Sequence, residues 1–194
     1  MRTDELFPEW PRPPYEGFEA EDLFCLRDLP PHTQLIDGSF VFRSRQSIFH
    51  TQTNGRLERG LRRTVPAHLN VRREMVVVLG RRQALEPDIS VIRADAVDGP
   101  DTDRYYAPDV VLAVETVSPD SAERDRHRKP QLYADAGIPH FWRVEMADGE
   151  GTVAHVHELD PAARAYRATG THLDRVALSL PFLIDIDLAE IDNL

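Results

Sequence analysis

The sequence predicts a mixed α/β domain, and three observations carry that reading. Residues 109–117, Asp-Val-Val-Leu-Ala-Val-Glu-Thr-Val, form a nearly continuous apolar run of the kind found in strands buried on both faces. A helix-like stretch over 121–136 and a second strand over 138–145 follow it directly. Elsewhere short strand-like pieces alternate with turn signals, so a strand–helix–strand unit sits inside an otherwise meandering sheet.

The elements are read in order. Residues 1–17 hold Pro8, Pro11, Pro13 and Pro14 and are expected to form an irregular tail, with a single domain over 18–194. Residues 17–28 look helical, with Phe18, Leu23, Phe24 and Leu26 set among acids. Residues 34–43 read as a hairpin turning at Asp37-Gly38. Residues 46–63 have a helical pattern in which Ile48, Leu57 and Leu61 are expected to share a face. Strands are expected over 74–79 and 85–93, and a polar loop containing Gly99-Pro100 over 94–106. After the 109–117 strand, Ser118-Pro119-Asp120 breaks the run and offers caps for the 121–136 helix, which Gly137 ends. Pro130 requires that helix to kink, or to begin only near Arg128. Extra C-terminal strands are expected over 153–158, 163–168, 176–180 and 182–186.

Composition narrows the function. The chain has 194 residues, 41% hydrophobic and 29% charged, as expected of one globular domain with a buried core. No apolar run approaches the ~20 residues needed to cross a bilayer. The N-terminal residues lack the apolar stretch of a signal peptide, so the expected location is the cytoplasm and no membrane partner is expected. The single cysteine, Cys25, makes no internal disulfide and excludes a cysteine-based zinc cluster.

A net charge of −10 argues against a general nucleic-acid coat protein. Yet residues 41–82 hold ten arginines against only Glu58 and Glu74. On charge alone this segment reads equally as a phosphate-facing surface or as a solvated helix face. The chain contains 22 arginines and one lysine, Lys129. Lysine is a compact point charge whose pKa responds to its surroundings, whereas arginine is always protonated and delocalised.

Glu115 ends the buried 109–117 strand, and a desolvated carboxylate needs a cation, hydrogen bonds or a metal. Asp88, in Glu86-Pro87-Asp88 within the expected 85–93 strand, stands beside it if those strands pair. Two adjacent carboxylates repel, and a hard divalent cation with oxygen ligands relieves the repulsion. Asp109 lies on the same strand as Glu115, roughly 20 Å away at ~3.3 Å per residue, and cannot share that cation. Asp125, Lys129 and Tyr133 recur every fourth residue and line one helical face, which either points Lys129 at the carboxylates or carries a surface ion pair. Glu58 is expected to face solvent. His155 and His157 share one face of a strand but have no third ligand nearby in sequence. Trp142 reads as core.

The combined pattern Glu86-Pro-Asp88, Pro108-Asp-Val-Val-Leu-Ala-Val-Glu115-Thr-Val-Ser-Pro119, Asp125-x-x-x-Lys129-x-x-x-Tyr133 and Gly137-Ile-Pro-His-Phe-Trp142 resembles the Uma-two family of restriction endonucleases, in the PD-(D/E)XK nuclease superfamily. The resemblance extends to Ile36-Asp-Gly38 and His50 and covers about residues 30–186. It implies a restriction-endonuclease-like mixed sheet flanked by helices. It also implies a Mg²⁺ ion, with Mn²⁺ as a substitute, held by Asp88, Glu115 and the Thr116 main-chain carbonyl. Lys129 is the implied catalytic lysine, with Asp125, Tyr133 and His50 in support. The superfamily usually places lysine two residues after the second acid, where this chain has Val117, so the lysine has migrated to the following helix.

The implied activity is metal-dependent DNA cleavage, with a homodimer as the assembly that cutting both strands would use. The alternative is a nuclease-fold module that binds nucleic acid or protein without cutting. A third reading is a metal-dependent hydrolase acting on a small phosphate ester.

Overall fold

A computed structural model describes residues 11–147 and 151–189. The first part of the expected proline-rich tail, residues 1–10, lies outside the described residues, as do 148–150 and 190–194.

The helix expected over 17–28 shrinks to α1 (Asp22–Cys25). The Phe18 and Ala20 N–H groups instead donate to the carbonyls of Gly38 and Arg81, which holds the segment against a sheet edge. β1 (Gln34–Ile36) and β2 (Ser39–Val41) form the expected hairpin. Its turn residues Asp37 (φ 53°) and Gly38 (φ 76°) are both left-handed, as a two-residue hairpin loop requires. α2 (Ile48–Thr64) is capped by Ser47, whose side chain accepts the His50 N–H. It buries Leu57 and Leu61, but Ile48 is 74% exposed. The expected shared face is wrong there: nine residues at 3.6 per turn put Ile48 about half a turn from Leu57.

β3 (Leu69–Arg73) was hidden in the sequence by its arginines, although Leu69 and Val71 alternate inward. β4 (Val76–Gly80) and β5 (Gln83–Leu85) follow. The single strand expected over 85–93 is broken at Glu86-Pro87-Asp88, where proline supplies no ladder donor, and β6 is Ile89–Arg93. Asp88 therefore stands just before β6 rather than inside a strand. The expected 94–106 loop contains β7 (Arg104–Tyr106), paired parallel to β4.

β8 (Val110–Thr116) is the central strand. Residues 122–135 form one helical run, with a π-helical turn over Arg124–Arg128 that leads directly into α3 (Lys129–Asp135), and Pro130 follows that turn. Gly137 (φ 83°) ends the unit. β9 (His140–Ala147), β10 (Gly151–Asp160), β11 (Ala165–His172), β12 (Arg175–Leu178) and β13 (Ile184–Asp187) complete the order.

The main sheet has six strands in the order β11-β10-β9-β8-β6-β3, parallel only between β8 and β9. A five-stranded sheet, β2-β1-β5-β4-β7, and the β12–β13 pair accompany it. β8 sends Leu112 and Val114 into a core with Leu57, Leu61, Trp142 and Ile186, on the α2 side. Ala113 points the other way, into a core with Leu132, Tyr133 and Phe141, on the α3 side. The architecture is the mixed α+β class. This alternation along β8 decides where its last two residues go: Glu115 faces α3, and Thr116 faces α2.

Candidate active site

The site forms where β6 starts and β8 ends. Ile89 pairs with Val114 in an antiparallel register, so Asp88, one residue before β6, lies beside the Glu115–Thr116 end of β8. Both carboxylates are 1% exposed and line one cavity with Arg43, His50, Thr116, Asp125 and Lys129. Its free volume of about 30 Å³ holds a single ion or water, so a larger substrate meets the site at its mouth.

Glu115 is held from the α3 side. Its Oε2 accepts from Lys129 Nζ at 2.7 Å and its Oε1 from the Tyr133 hydroxyl at 2.6 Å. Lys129 Nζ also lies 2.9 Å from Asp125 Oδ1. Asp125 is 1% and Lys129 3% exposed, so the pair is a buried network and not the surface ion pair the sequence also allowed. Burial pushes the Glu115 pKa up, and Lys129 only partly opposes it. Burial also works against the charge on Lys129, but Glu115 and Asp125 outweigh it and raise its pKa. Lys129 is therefore an ammonium group at neutral pH.

Asp88 is held from the α2 side. Its Oδ2 accepts the Thr116 N–H at 2.7 Å, while Oδ1 lies 3.1 Å from His50 Nε2 and accepts from the Arg43 guanidinium. Asn54, one turn after His50 and fully buried, donates to His50 Nδ1 at 3.2 Å and accepts from the Thr116 hydroxyl at 2.6 Å. Thr116, Asn54 and His50 thus form a chain of hydrogen bonds whose histidine end lies 3.1 Å from Asp88 Oδ1. With Asn54 at Nδ1, the other ring nitrogen, Nε2, stands between Asp88 Oδ1 and Arg43 Nη2. Burial, reinforced by Arg43, lowers the His50 pKa to about 4, so the histidine is neutral. Glu86, also buried, lies 2.6 Å from His32 Nδ1 and 3.4 Å from Arg43.

All the residues singled out from the sequence as site members, Asp88, Glu115, Thr116, Asp125, Lys129, Tyr133 and His50, are therefore gathered at one sheet end. Thr116 joins through its N–H and hydroxyl. Three members escaped the sequence reading: Arg43, Asn54 and Glu86. Asn54 carried a signal, its i+4 spacing from His50. Glu86 was visible only as part of the Glu-Pro-Asp string, and Arg43 was one arginine among 22. Other candidates lie elsewhere. Glu58 pairs with Arg62 at 2.9 Å, Asp109 accepts the Tyr106 N–H, and Trp142 is fully buried in the core. His155 lies 3.2 Å from Glu145, and the His157 ring lies tilted beside Phe141 with ring centroids 5.6 Å apart. Cys25 is exposed.

Among the described residues, no three His, Cys, Asp or Glu side chains gather as a metal-holding group. The donors at the cavity still suit Mg²⁺, which commonly takes one or two carboxylates and leaves its other positions to water and phosphate. The four carboxylate oxygens of Asp88 and Glu115 are hard donors; Asp88 Oδ2 and both Glu115 oxygens have one partner each, while Asp88 Oδ1 is shared by Arg43 and His50. One adjustment is needed: Arg43 must leave Asp88 Oδ1.

A family model described as "Putative restriction endonuclease" (Uma2) matches residues 20–189. The chain belongs to the Uma2 family. The fold of this Uma2 chain is similar to that of a solved structure. The crystal structure of a "putative nuclease belonging to DUF820" from Anabaena variabilis superposes with a TM-score of 0.72 and 13% identity, covering 91% of this chain and 98% of that one. Comparison with curated proteins finds no match. No helix among the described residues of this Uma2 chain is long and apolar enough to cross a membrane.

Proposed function

We propose that the chain is a divalent-cation-dependent endonuclease that hydrolyses phosphodiester bonds of DNA at the Asp88–Glu115–Lys129 cleft. The observation that carries this reading is the position of the single lysine, buried against Glu115 at the sheet end where Asp88 immediately precedes β6. Membership of a family described as restriction endonucleases points to nucleic acid as the substrate. Arg45 and Arg124 at the cavity rim supply cations suited to a phosphate backbone.

Asp88 and Glu115, with the Thr116 main-chain carbonyl, are the groups to hold Mg²⁺, or Mn²⁺ in its place. Such an ion, when bound, polarises the scissile phosphate and lowers the pKa of a bound water. The chain's own residues do the rest. Lys129 stays protonated, so its part is to stabilise negative charge developing on the phosphate rather than to accept a proton. Tyr133 and Asp125 fix Glu115 and Lys129 from behind. Neutral His50, oriented by Asn54, aims Asp88 Oδ1 without adding a competing positive charge.

The test is cleavage of supercoiled plasmid with Mg²⁺ or Mn²⁺ by wild type, Asp88→Asn and Lys129→Met. Each variant is expected to lose about 10²-fold or more in rate. Equal cleavage by all three would place the activity elsewhere. A wild-type chain that binds DNA without cutting it would favour the binding-module reading.

A further inference from the structure

The two carboxylates of the cleft are neutralised in different ways. Lys129 is 3% exposed, is fixed between Glu115 and Asp125, and belongs to regular helix. Arg43 comes from the irregular stretch between β2 and α2, where Ser44, Arg45 and Gln46 are exposed. Its guanidinium donates to Asp88 Oδ1, and Nη2 stands 3.4 Å from His50 Nε2. On its other side Nη1 lies 3.4 Å from Glu86 Oε1 and 3.8 Å from Glu74 Oε1. Arg43 thus has two further carboxylates within reach, and Lys129 is already engaged by both of its own.

A guanidinium and a divalent cation cannot both sit on Asp88 Oδ1, because they repel each other and need the same side of one oxygen. Buried Asp88 nonetheless requires a positive partner whenever the cation is absent. We propose that Arg43 is the resident counter-ion of the unloaded site. It neutralises Asp88 until a divalent cation takes its place, then rests on Glu86 and Glu74. Arg43 accordingly sets how tightly the cation binds. This inference rests on the reading of Asp88 as a cation ligand.

The test is calorimetric titration of Mn²⁺ into the full chain without DNA, comparing wild type, Arg43→Met, Arg43→Lys and Asp88→Asn. Arg43→Met removes the competitor and is expected to tighten Mn²⁺ binding by about tenfold or more, since it abolishes the equilibrium that occupies the ligand. Arg43→Lys keeps a competing charge and should remain near wild type, within about threefold. Asp88→Asn should lose the binding. If Arg43→Met fails to fold, Arg43→Gln, which keeps donors without charge, is read in its place. An unchanged or weaker affinity in the uncharged Arg43 variant, with binding lost in Asp88→Asn, would overturn the counter-ion role alone. Mn²⁺ binding to Asp88→Asn as tight as to wild type would overturn the reading of Asp88 as a ligand, and this inference with it.

Discussion

Lys129 Nζ lies 2.7 Å from Glu115 Oε2, so the only lysine of the chain is the counter-ion of the acid near the end of its central strand. Position 117, two residues after that acid, holds a buried valine. The ammonium group instead reaches the same carboxylate from the following helix.

Because the pair is buried, removing one partner alone is expected to be costly. Lys129→Met leaves Glu115 and Asp125 without their cation and should destabilise the fold by about 3–5 kcal/mol. Adding Glu115→Gln removes one of the two stranded charges and should recover part of that loss. Urea denaturation midpoints of the single and double variants check this; additive losses would show that the two residues do not couple.

The two hydrogen bonds of Asn54 make a second prediction. Asn54→Ala deprives both His50 Nδ1 and the Thr116 hydroxyl of a buried partner. The expected cost is about 1–3 kcal/mol in stability. The histidine that faces Asp88 also loses its orientation, so cleavage should fall more than the stability loss explains, read at a temperature where the variant is fully folded.

The hairpin, the long helix, the central strand and the crossover to α3 were legible because each has its own local signal. These are Asp37-Gly38, a 3.6-residue period, an unbroken apolar run and a closing Gly137. β3 was not, since Asn70, Arg72 and Arg73 leave only two apolar residues in it, and β7 is too short to show a period. At the site, Glu115 could be read because a carboxylate at the end of a buried strand needs a partner, while Asp88 and Lys129 were singled out by the resemblance of their spacing to the family pattern. Arg43 could not: its role depends on which carboxylates the β1–β2 hairpin is folded against, and nothing in its neighbours along the chain records that.

The packing of α2 on β13 is tested by one methyl group. A Cβ at Gly60 would lie 2.5 Å from Ile186 Cγ1 and 2.9 Å from its Cδ1, and Ile186 is itself buried. Gly60→Ala should therefore destabilise by about 1–3 kcal/mol, despite the better helix propensity of alanine. A thermal melt showing no loss would mean that α2 and β13 are further apart.

A pH dependence follows from His157. Burial, with Arg143 adding to it, holds its pKa below the ordinary histidine value. Below about pH 6.5 the unfolded chain binds a proton there that the folded chain resists, so stability falls as the pH drops through that range. His157→Phe, placed beside Phe141 and Tyr166, removes this contribution. Its melting temperature should fall less between pH 7 and pH 5 than that of wild type. An identical or steeper fall would assign the effect to other groups.

The most direct test of the proposed cleft is an anomalous difference map from crystals of the chain soaked in Mn²⁺. The account predicts one strong peak bound by carboxylate oxygens of both Asp88 and Glu115, with Lys129 still on Glu115, and no such peak in Asp88→Asn. No peak between the two carboxylates, or a peak that persists there in Asp88→Asn, would contradict it.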